Sequence, residues 1–524
     1  MKKLPIGVQT FEKLIRENYL YVDKTEHIYQ LVTRGECYFL ARPRRFGKSL
    51  LVSTLKALFE AKRELFVGLW IDSSDYAWDQ YAVLDFNFSK IAHSTPGELN
   101  KTLLGRISEL ARLHDIPIDL EFPVLALNEL VFALSRMGKK VVFLIDEYDY
   151  PLLTHLTRPQ HRSEIQGIMR SFYAAIKGLD EYARFVFLTG VSKFSQTSVF
   201  SGMNNLEDIS FSTPHACMLG YTHSELEQYF SEYVAVFAGH KNCSTRQLVE
   251  KLTEWYDGYC FARGAERVYN PFSVLSSMKA QEFRNFWFKT GTPTFLADLL
   301  VASDYAVQEI DGVQVEEGEL ETMDLEFPRL IPLLFQTGYL TIKGSGETTD
   351  LLTLGYPNHE VADSFTKFLV QYLTHRSPVQ VKRDVGVLLS DLQDNDIDAF
   401  CTRLKIVFAN IPHTIHLKYE KYYQSLFYLL LHVMGAEIDA EVATNSGRID
   451  AVVKMANRIV IIEFKLGAFA DKALDQIIEK KYYEKHLADA REILLLGIAF
   501  DTKLNNVGEC RSLVLARPAV ILNP

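Results

Sequence analysis

The chain has 524 residues, too many for one ordinary core at roughly 150 residues per domain, so about three units are expected. Hydrophobic residues make up 48% and charged residues 23%, a balance that excludes a disordered or fibrous protein. The net charge of -10 excludes a global positive field for polyanions, so any nucleic-acid contact must come from local patches.

Residues Met1-Lys2-Lys3 are followed by Leu4-Pro5-Ile6-Gly7 without a continuous apolar run, and no later stretch reaches the ~20 apolar residues of a membrane span. The six cysteines are far apart in sequence and form no C-x-x-C pair, which argues against a zinc site or a disulfide framework. Both features fit a cytoplasmic protein with no membrane contact.

From about Cys37 to Tyr221, short apolar runs alternate with longer amphipathic segments, the pattern of an α/β domain. The runs Tyr38-Phe39-Leu40, Val83 to Phe86, Val141 to Ile145 and Phe185 to Leu188 read as buried parallel strands. After the first comes Arg42-Pro43-Arg44-Arg45-Phe46-Gly47-Lys48-Ser49, opening a helix at Leu50-Leu51-Val52. This is the setting of a phosphate loop, whose backbone N–H groups at a helix N-terminus favour an anion. Lys48 is expected to pair with the β- and γ-phosphates of ATP, and Ser49 to ligate Mg²⁺. Arg42 stands where the first glycine of the usual motif would be.

The strand Val141 to Ile145 ends in Asp146-Glu147, with Asp146 expected at the magnesium and Glu147 placed to orient or deprotonate an attacking water. The competing reading is a basic loop and an unrelated strand with a solvated acidic end. The next strand ends in Thr189-Gly190, where Thr189 can sense the γ-phosphate or simply serve a turn. Arg44 and Arg45 suit phosphate or transition-state charge, and equally a solvated basic turn.

Between roughly 222 and 336 the apolar spacing is mostly helical, and the runs around Gly344-Ser345-Gly346 predict a hairpin near 338–355. The boundaries expected are 1–221, 222–415 and 416–524. The clusters Trp255-Tyr256-Asp257-Gly258-Tyr259 and Tyr269-Asn270-Pro271 carry no clear chemistry and read first as core and turn. The histidines are scattered without ligand spacing.

The last hundred residues predict a helix from about Lys418, strands at Ala436 to Val442, Ile449 to Val453 and Ile459 to Phe464, a helix from Lys472 to about His486, and a strand at Ile493 to Leu496. Asp450 opens one strand and Glu463-Phe464-Lys465 ends the next. If the two pair, Asp450 meets Glu463 and Lys465, which alternation sets on one face. Such charges on an apolar strand are costly unless they bind something. Mg²⁺ or Mn²⁺ is the natural ligand, polarising a scissile phosphate and acidifying a water while Lys465 orients the nucleophile. Gln476, on the following helix, can position that water. Glu441 is either a further ligand or an exposed strand residue. The competing reading of the trio is a surface hairpin with an ordinary ion pair.

These residues resemble a bacterial family with an N-terminal AAA-ATPase-like domain and a C-terminal PD-(D/E)XK, or restriction-endonuclease-like, nuclease domain. The resemblance rests on Tyr21 to Thr25, Arg42 to Leu50, Asp146 to Asp149, Phe187 to Ser192, Tyr256 to Tyr259, Gly447 to Asp450, Ile462 to Lys465 and Ala473 to Ile477. In that family the arginine-rich loop also lacks the first glycine. The resemblance implies an α/β multidomain protein: a P-loop NTPase parallel sheet, a helical middle region and a restriction-endonuclease-like α/β domain. It implies ATP bound by the loop Arg44, Arg45, Phe46, Gly47, Lys48, Ser49 and Leu50 with Asp146, and a nuclease site at Asp450, Glu463 and Lys465 acting on DNA or RNA. The rival is a signalling or scaffold ATPase whose C-terminal fold binds a protein or nucleic-acid partner without cutting. A protein partner or homo-oligomer is compatible with either.

Overall fold

A computed structural model of the chain describes all residues except 156–157, 194–202, 204, 289–295, 298, 301–306, 322–327, 347–349, 375–376, 410–419, 434–436, 445–446, 502, 505 and 516–524. It divides into two compact units. The first joins Met1–Thr290 with Gln314–Val361, and the second joins Gly291–Val313 with Ala362–Pro524. No helix among the described residues is long and apolar enough to cross a membrane.

The first unit is built on strands β1 (Cys37–Ala41), β2 (Ala82–Asn87), β3 (Val141–Asp146), β4 (Ala183–Gly190) and β5 (Glu207–Asp208). They pair in parallel in the order β2-β3-β4-β1-β5. Every residue of β3 is buried, as expected of a strand inside a parallel sheet covered on both faces. The carboxyl ends of β1, β3 and β4 lie at one edge, where open parallel sheets bind their ligands.

The helices after this sheet start where the sequence supplies caps. Thr222 with Glu225 and Ser244 with Gln247 form capping boxes for His223–Lys241 and Thr245–Tyr256. Those helices bury Leu226, Phe230, Phe237, Leu248, Leu252 and Tyr256 in a common core. Lys24 reaches Glu225 at 2.6 Å, so the early Asp-Lys-Thr segment brackets this helix start. The expected hairpin is present as β7 (Thr341–Ser345) and β8 (Leu351–Gly355), and it gains a third strand, β6 (Gln314–Glu316), which pairs antiparallel with β8.

The second unit holds a mixed sheet of β9 (Glu437–Thr444), β10 (Gly447–Lys454), β11 (Arg458–Leu466), β12 (Glu492–Asp501) and β13 (Asn506–Val514), in the order β13-β12-β11-β10-β9. Only β11 and β12 are parallel, and the helix Ala470–Glu479 makes the crossover between them. That helix ends earlier than its apolar spacing suggests. Lys481 takes a left-handed φ of 53°, after which Tyr482–His486 forms a 3₁₀ turn. Ile477 of the helix packs in one core with Ile449, Val452, Ile459, Ile461 and Leu495 of the sheet. Strand β13 has no strong apolar alternation of its own and was not expected from the sequence.

Candidate active sites

The arginine-rich loop runs from the end of β1 into the helix Lys48–Phe59, with Gly47 as its N-cap at φ 96°. An L side chain is strained there, which is why the loop turns on glycine. Arg45 is also left-handed, at φ 69°. Lys48 is buried and donates to the carbonyls of Arg42 and Pro43 at 2.9 and 3.0 Å. Burial pulls its pKa down, while Asp146, Glu147 and Asp149 pull it up. Its ammonium thus sits inside the loop and faces the acidic ends of the neighbouring strand.

Asp146 is buried at the end of β3. Its Oδ2 accepts from Asn87 at 3.0 Å, and its buried Oδ1 has no hydrogen-bond partner. Burial raises its pKa, and the Ser49 hydroxyl and Lys48 lower it. Glu147 holds a left-handed φ of 51°, a conformation costing of order 1 kcal/mol for a non-glycine residue and often retained at functional positions. Asp149 accepts from the backbone of Val191 and Ser192 at 2.9 and 2.7 Å, and burial pushes its carboxyl to about 6. It ties β3 to β4 through Gly190, where a Cβ would stand 2.5 Å from Asp149 Oδ1.

A cavity of about 330 Å³ opens over the loop, walled by Arg44, Arg45, Gly47, Lys48, Ser49, Leu50 and Glu147, with Gln9, Tyr150 and Phe272 opposite. Its size lies at the small end of ligand pockets. Arg45 is exposed and stacks over Phe272 at 4.9 Å. Two expected ligands point elsewhere. The Phe46 side chain is buried edge-on against Tyr259 and Phe261, at 4.8 and 5.3 Å, leaving only its backbone to the loop's concave side. Thr189, expected to sense the γ-phosphate, is fully buried and donates its hydroxyl to the Leu40 carbonyl at 2.8 Å. A buried hydroxyl inside the sheet needs a partner, which the Leu40 carbonyl provides.

The cluster Trp255 to Tyr259 reads from the sequence as core and turn, and Phe261 follows just after it. In the fold this segment braces the loop: Phe261 lies under Arg42 and Tyr259 against Phe46. Trp287 donates its indole N–H to the Arg44 carbonyl at 3.0 Å. Gly338 approaches so closely that a Cβ there would lie 2.6 Å from Pro43.

In the second unit, Ala451 of β10 pairs with Ile462 of β11, which brings the preceding Asp450 beside Glu463. Asp450 Oδ2 accepts from the Phe464 backbone N–H at 2.7 Å. Glu463 is 2% exposed. Its Oε1 accepts from Lys465 Nζ at 3.2 Å and from Gln476 Nε2, while its buried Oε2 has no hydrogen-bond partner. Burial, then the neighbouring Asp450 charge, pushes the Glu463 carboxyl to about 8, with Lys465 opposing. Asp450, Glu463, Lys465 and Gln476 thus converge. The Glu441 side chain lies outside the described residues.

Two residues not singled out from the sequence position Gln476. Gly497 of β12 pairs with Glu463 of β11, and a Cβ on it would stand 2.5 Å from the Ala470 carbonyl, so glycine lets the helix lie close on the sheet. Glu509 of β13 accepts from the Ala470 N–H at 3.0 Å, capping a helix whose own N-cap residue, Phe469, cannot. A glycine inside the apolar run Leu494 to Ala499 was the available signal for the first. The second has no local signal.

Among the described residues no group of three or more His, Cys, Asp or Glu side chains forms a ready-made metal cage. Magnesium sites use one or two carboxylates completed by water and phosphate oxygens. The bare buried oxygens of Asp146 and Glu463 fit such partial sites, because an unpaired buried carboxylate oxygen is costly without a cation or a proton.

A parallel sheet carrying this loop beside Asp146, and a mixed sheet carrying Asp450, Glu463 and Lys465, define a P-loop domain and a restriction-endonuclease-like domain in one chain. Comparison with known proteins agrees. The family described as "Predicted AAA-ATPase" matches residues 5–200, and the PD-(D/E)XK nuclease superfamily matches residues 418–510. A protein of Azotobacter chroococcum mcd 1, "Uncharacterized protein in vnfD 5'region", is 37% identical over 529 residues, 97% of this chain and 98% of that protein. The chain belongs to the family that joins an N-terminal AAA-ATPase-like domain to a C-terminal PD-(D/E)XK nuclease domain.

Proposed function

We propose that the protein binds and hydrolyses ATP in its first unit and cleaves phosphodiester bonds of nucleic acid, with a divalent metal, in its second. The observation that carries the nuclease reading is the convergence of Asp450, Lys465 and Gln476 on a buried Glu463 with one bare oxygen. A surface ion pair needs no buried carboxylate, and burying one without further use is destabilising.

In this reading Asp450 and Glu463 hold Mg²⁺ or Mn²⁺, which when bound polarises the scissile phosphate and acidifies a water. Lys465 sits beside Glu463 and supplies positive charge where the pentavalent phosphorus gathers negative charge. Gln476 orients the water or the Glu463 carboxylate. In the first unit, Lys48 leaves the Arg42 and Pro43 carbonyls for the β- and γ-phosphates. Ser49 and Asp146 hold the nucleotide's magnesium, Glu147 orients the attacking water, and Arg44 and Arg45 face the phosphates across the cavity. ATP serves as the control input and phosphodiester hydrolysis as the output.

The test is incubation of the purified protein with labelled single- and double-stranded DNA and RNA, Mg²⁺ or Mn²⁺, with and without ATP. Cleavage lost in Asp450→Ala and Lys465→Ala, and altered by ATP only while Lys48 is intact, is the expected outcome. Cleavage surviving in Asp450→Ala overturns the nuclease site, and equal cleavage with and without ATP overturns the control role.

A further inference from the structure

The Arg44 carbonyl is held from behind the phosphate loop. Trp287 donates its indole N–H to it at 3.0 Å, and the backbone N–H of the same tryptophan is donated to Glu360 Oε1 at 2.6 Å. One residue thus links the loop to a carboxyl that is 1% exposed. Trp287 is itself buried and packs edge-on against Tyr339 at 5.3 Å. Glu360 is fixed in turn, because it lies in the first turn of the helix His359–Thr374. Just ahead of that helix, Asn358 Oδ1 accepts from the Val361 N–H at 3.1 Å, and its Nδ2 donates to the Asp257 carbonyl at 2.7 Å.

We propose that Trp287 and Glu360 are positioning residues of the nucleotide site, which orient the Arg44–Arg45 peptide so that the Arg45 N–H is presented to a nucleotide phosphate. The proposal rests on the reading of this loop as an ATP site. In a trans peptide the C=O and the N–H point in opposite directions, and no described peptide bond is cis. With the Arg44 carbonyl fixed toward Trp287, the Arg45 N–H points away from it. The cavity over the loop is walled by Arg44 and Arg45 but not by Trp287, so the N–H is directed to the cavity side. It has no protein acceptor among the described residues. The left-handed φ of 69° at Arg45 is one of the conformations that gather successive N–H groups into an anion-binding concavity.

Glu360 acts one step further back. Burial pushes its carboxyl up to about 7, while the Ser273 hydroxyl and the N–H groups of Trp287 and Phe286 oppose this. In either protonation state an oxygen lone pair remains for the Trp287 N–H. Glu360 therefore contributes an acceptor, and glutamine can supply the same one.

The test compares full-length wild type with Trp287→Phe, Glu360→Ala, Glu360→Gln and Lys48→Ala by fluorescent-ATP titration, steady-state phosphate release and thermal unfolding. Trp287→Phe keeps a ring and removes the indole N–H, and roughly 5-fold weaker ATP binding is expected from the loss of one hydrogen bond. KM should rise by the same factor while kcat at saturating ATP stays within about 2-fold, because the lost orientation serves ground state and transition state alike. Glu360→Ala should weaken binding likewise, and Glu360→Gln should bring affinity back to within about 2-fold of wild type. A purely structural role would lower the unfolding midpoint and leave the affinity of the folded protein unchanged. Unchanged affinity in Trp287→Phe, or a Glu360→Gln as impaired as Glu360→Ala, overturns the proposal, and Trp287→Phe decides alone if Glu360→Ala does not fold. If Lys48→Ala binds ATP as tightly as wild type, the ATP reading fails and takes the proposal with it. A weakened Lys48→Ala beside an unaffected Trp287→Phe removes the positioning role alone.

Discussion

The Arg42 guanidinium lies 4.2 Å from the centroid of the Phe261 ring, in the loop position where a P-loop ordinarily has glycine. It also donates to the carbonyls of Ala41 and Ser210 at 2.8 Å each, and burial with few opposing charges brings its pKa to about 9. The arginine is therefore an internal strut that fixes the loop from behind.

Arg42→Gly, which completes the common motif, is expected to harm the protein. It removes these hydrogen bonds and the packing over Phe261, at a cost on the order of 3 kcal/mol. Thermal unfolding followed by circular dichroism should show a lower midpoint and weaker nucleotide binding than wild type. An unchanged midpoint would show that the strut is dispensable.

Lys48→Ala and Glu147→Gln should separate binding from turnover. The first removes the proposed phosphate cation and should lower ATP affinity at least 10-fold. The second should retain affinity while slowing phosphate release roughly 100-fold. Fluorescent-nucleotide titration and a phosphate-release assay read the two. Normal turnover in Glu147→Gln would take the catalytic role away from that residue.

Glu463 makes the metal-free second unit sensitive to pH. Its folded-state carboxyl, at about 8, lies above the ordinary 4.5, so the folded chain keeps a proton that the unfolded chain releases between these values. The resulting stabilisation is fully present below about 4.5 and is lost as pH rises through about 8. In the presence of a chelator, the unfolding midpoint of wild type should fall relative to Glu463→Gln over that window. Mn²⁺ affinity, measured by calorimetry, should rise over the same window as metal displaces the proton. Parallel pH profiles for wild type and variant would contradict this assignment.

Gly497→Ala should impair cleavage without touching any proposed ligand. The added methyl meets the Ala470 carbonyl and Leu474 N–H at 2.5 and 2.9 Å, so the helix must move away and carry Gln476 from Glu463. A stability loss of about 1–3 kcal/mol is expected, together with a drop in cleavage rate larger than that of Gln476→Ala alone. A variant that cuts as fast as wild type would mean the helix need not sit so close.

The sequence by itself determined the two domain families and most of the strands that carry them. Lys48 and Ser49 follow β1 at fixed spacing, Asp146 ends an uninterrupted apolar run, and Glu463 and Lys465 alternate on one strand. Such features are local, set by helix N-termini and by the two-residue period of a strand. What the sequence could not supply depended on contacts between distant segments. Thr189 turned inward because β1 offers it a carbonyl, and Phe46 because Tyr259 and Phe261 arrive from more than two hundred residues away. Tyr259 and Phe261 brace the loop, against Phe46 and Arg42, only once the chain folds back. Burial of a carboxylate or an arginine is a property of the assembled core, and it decides their ionisation where spacing along the chain cannot.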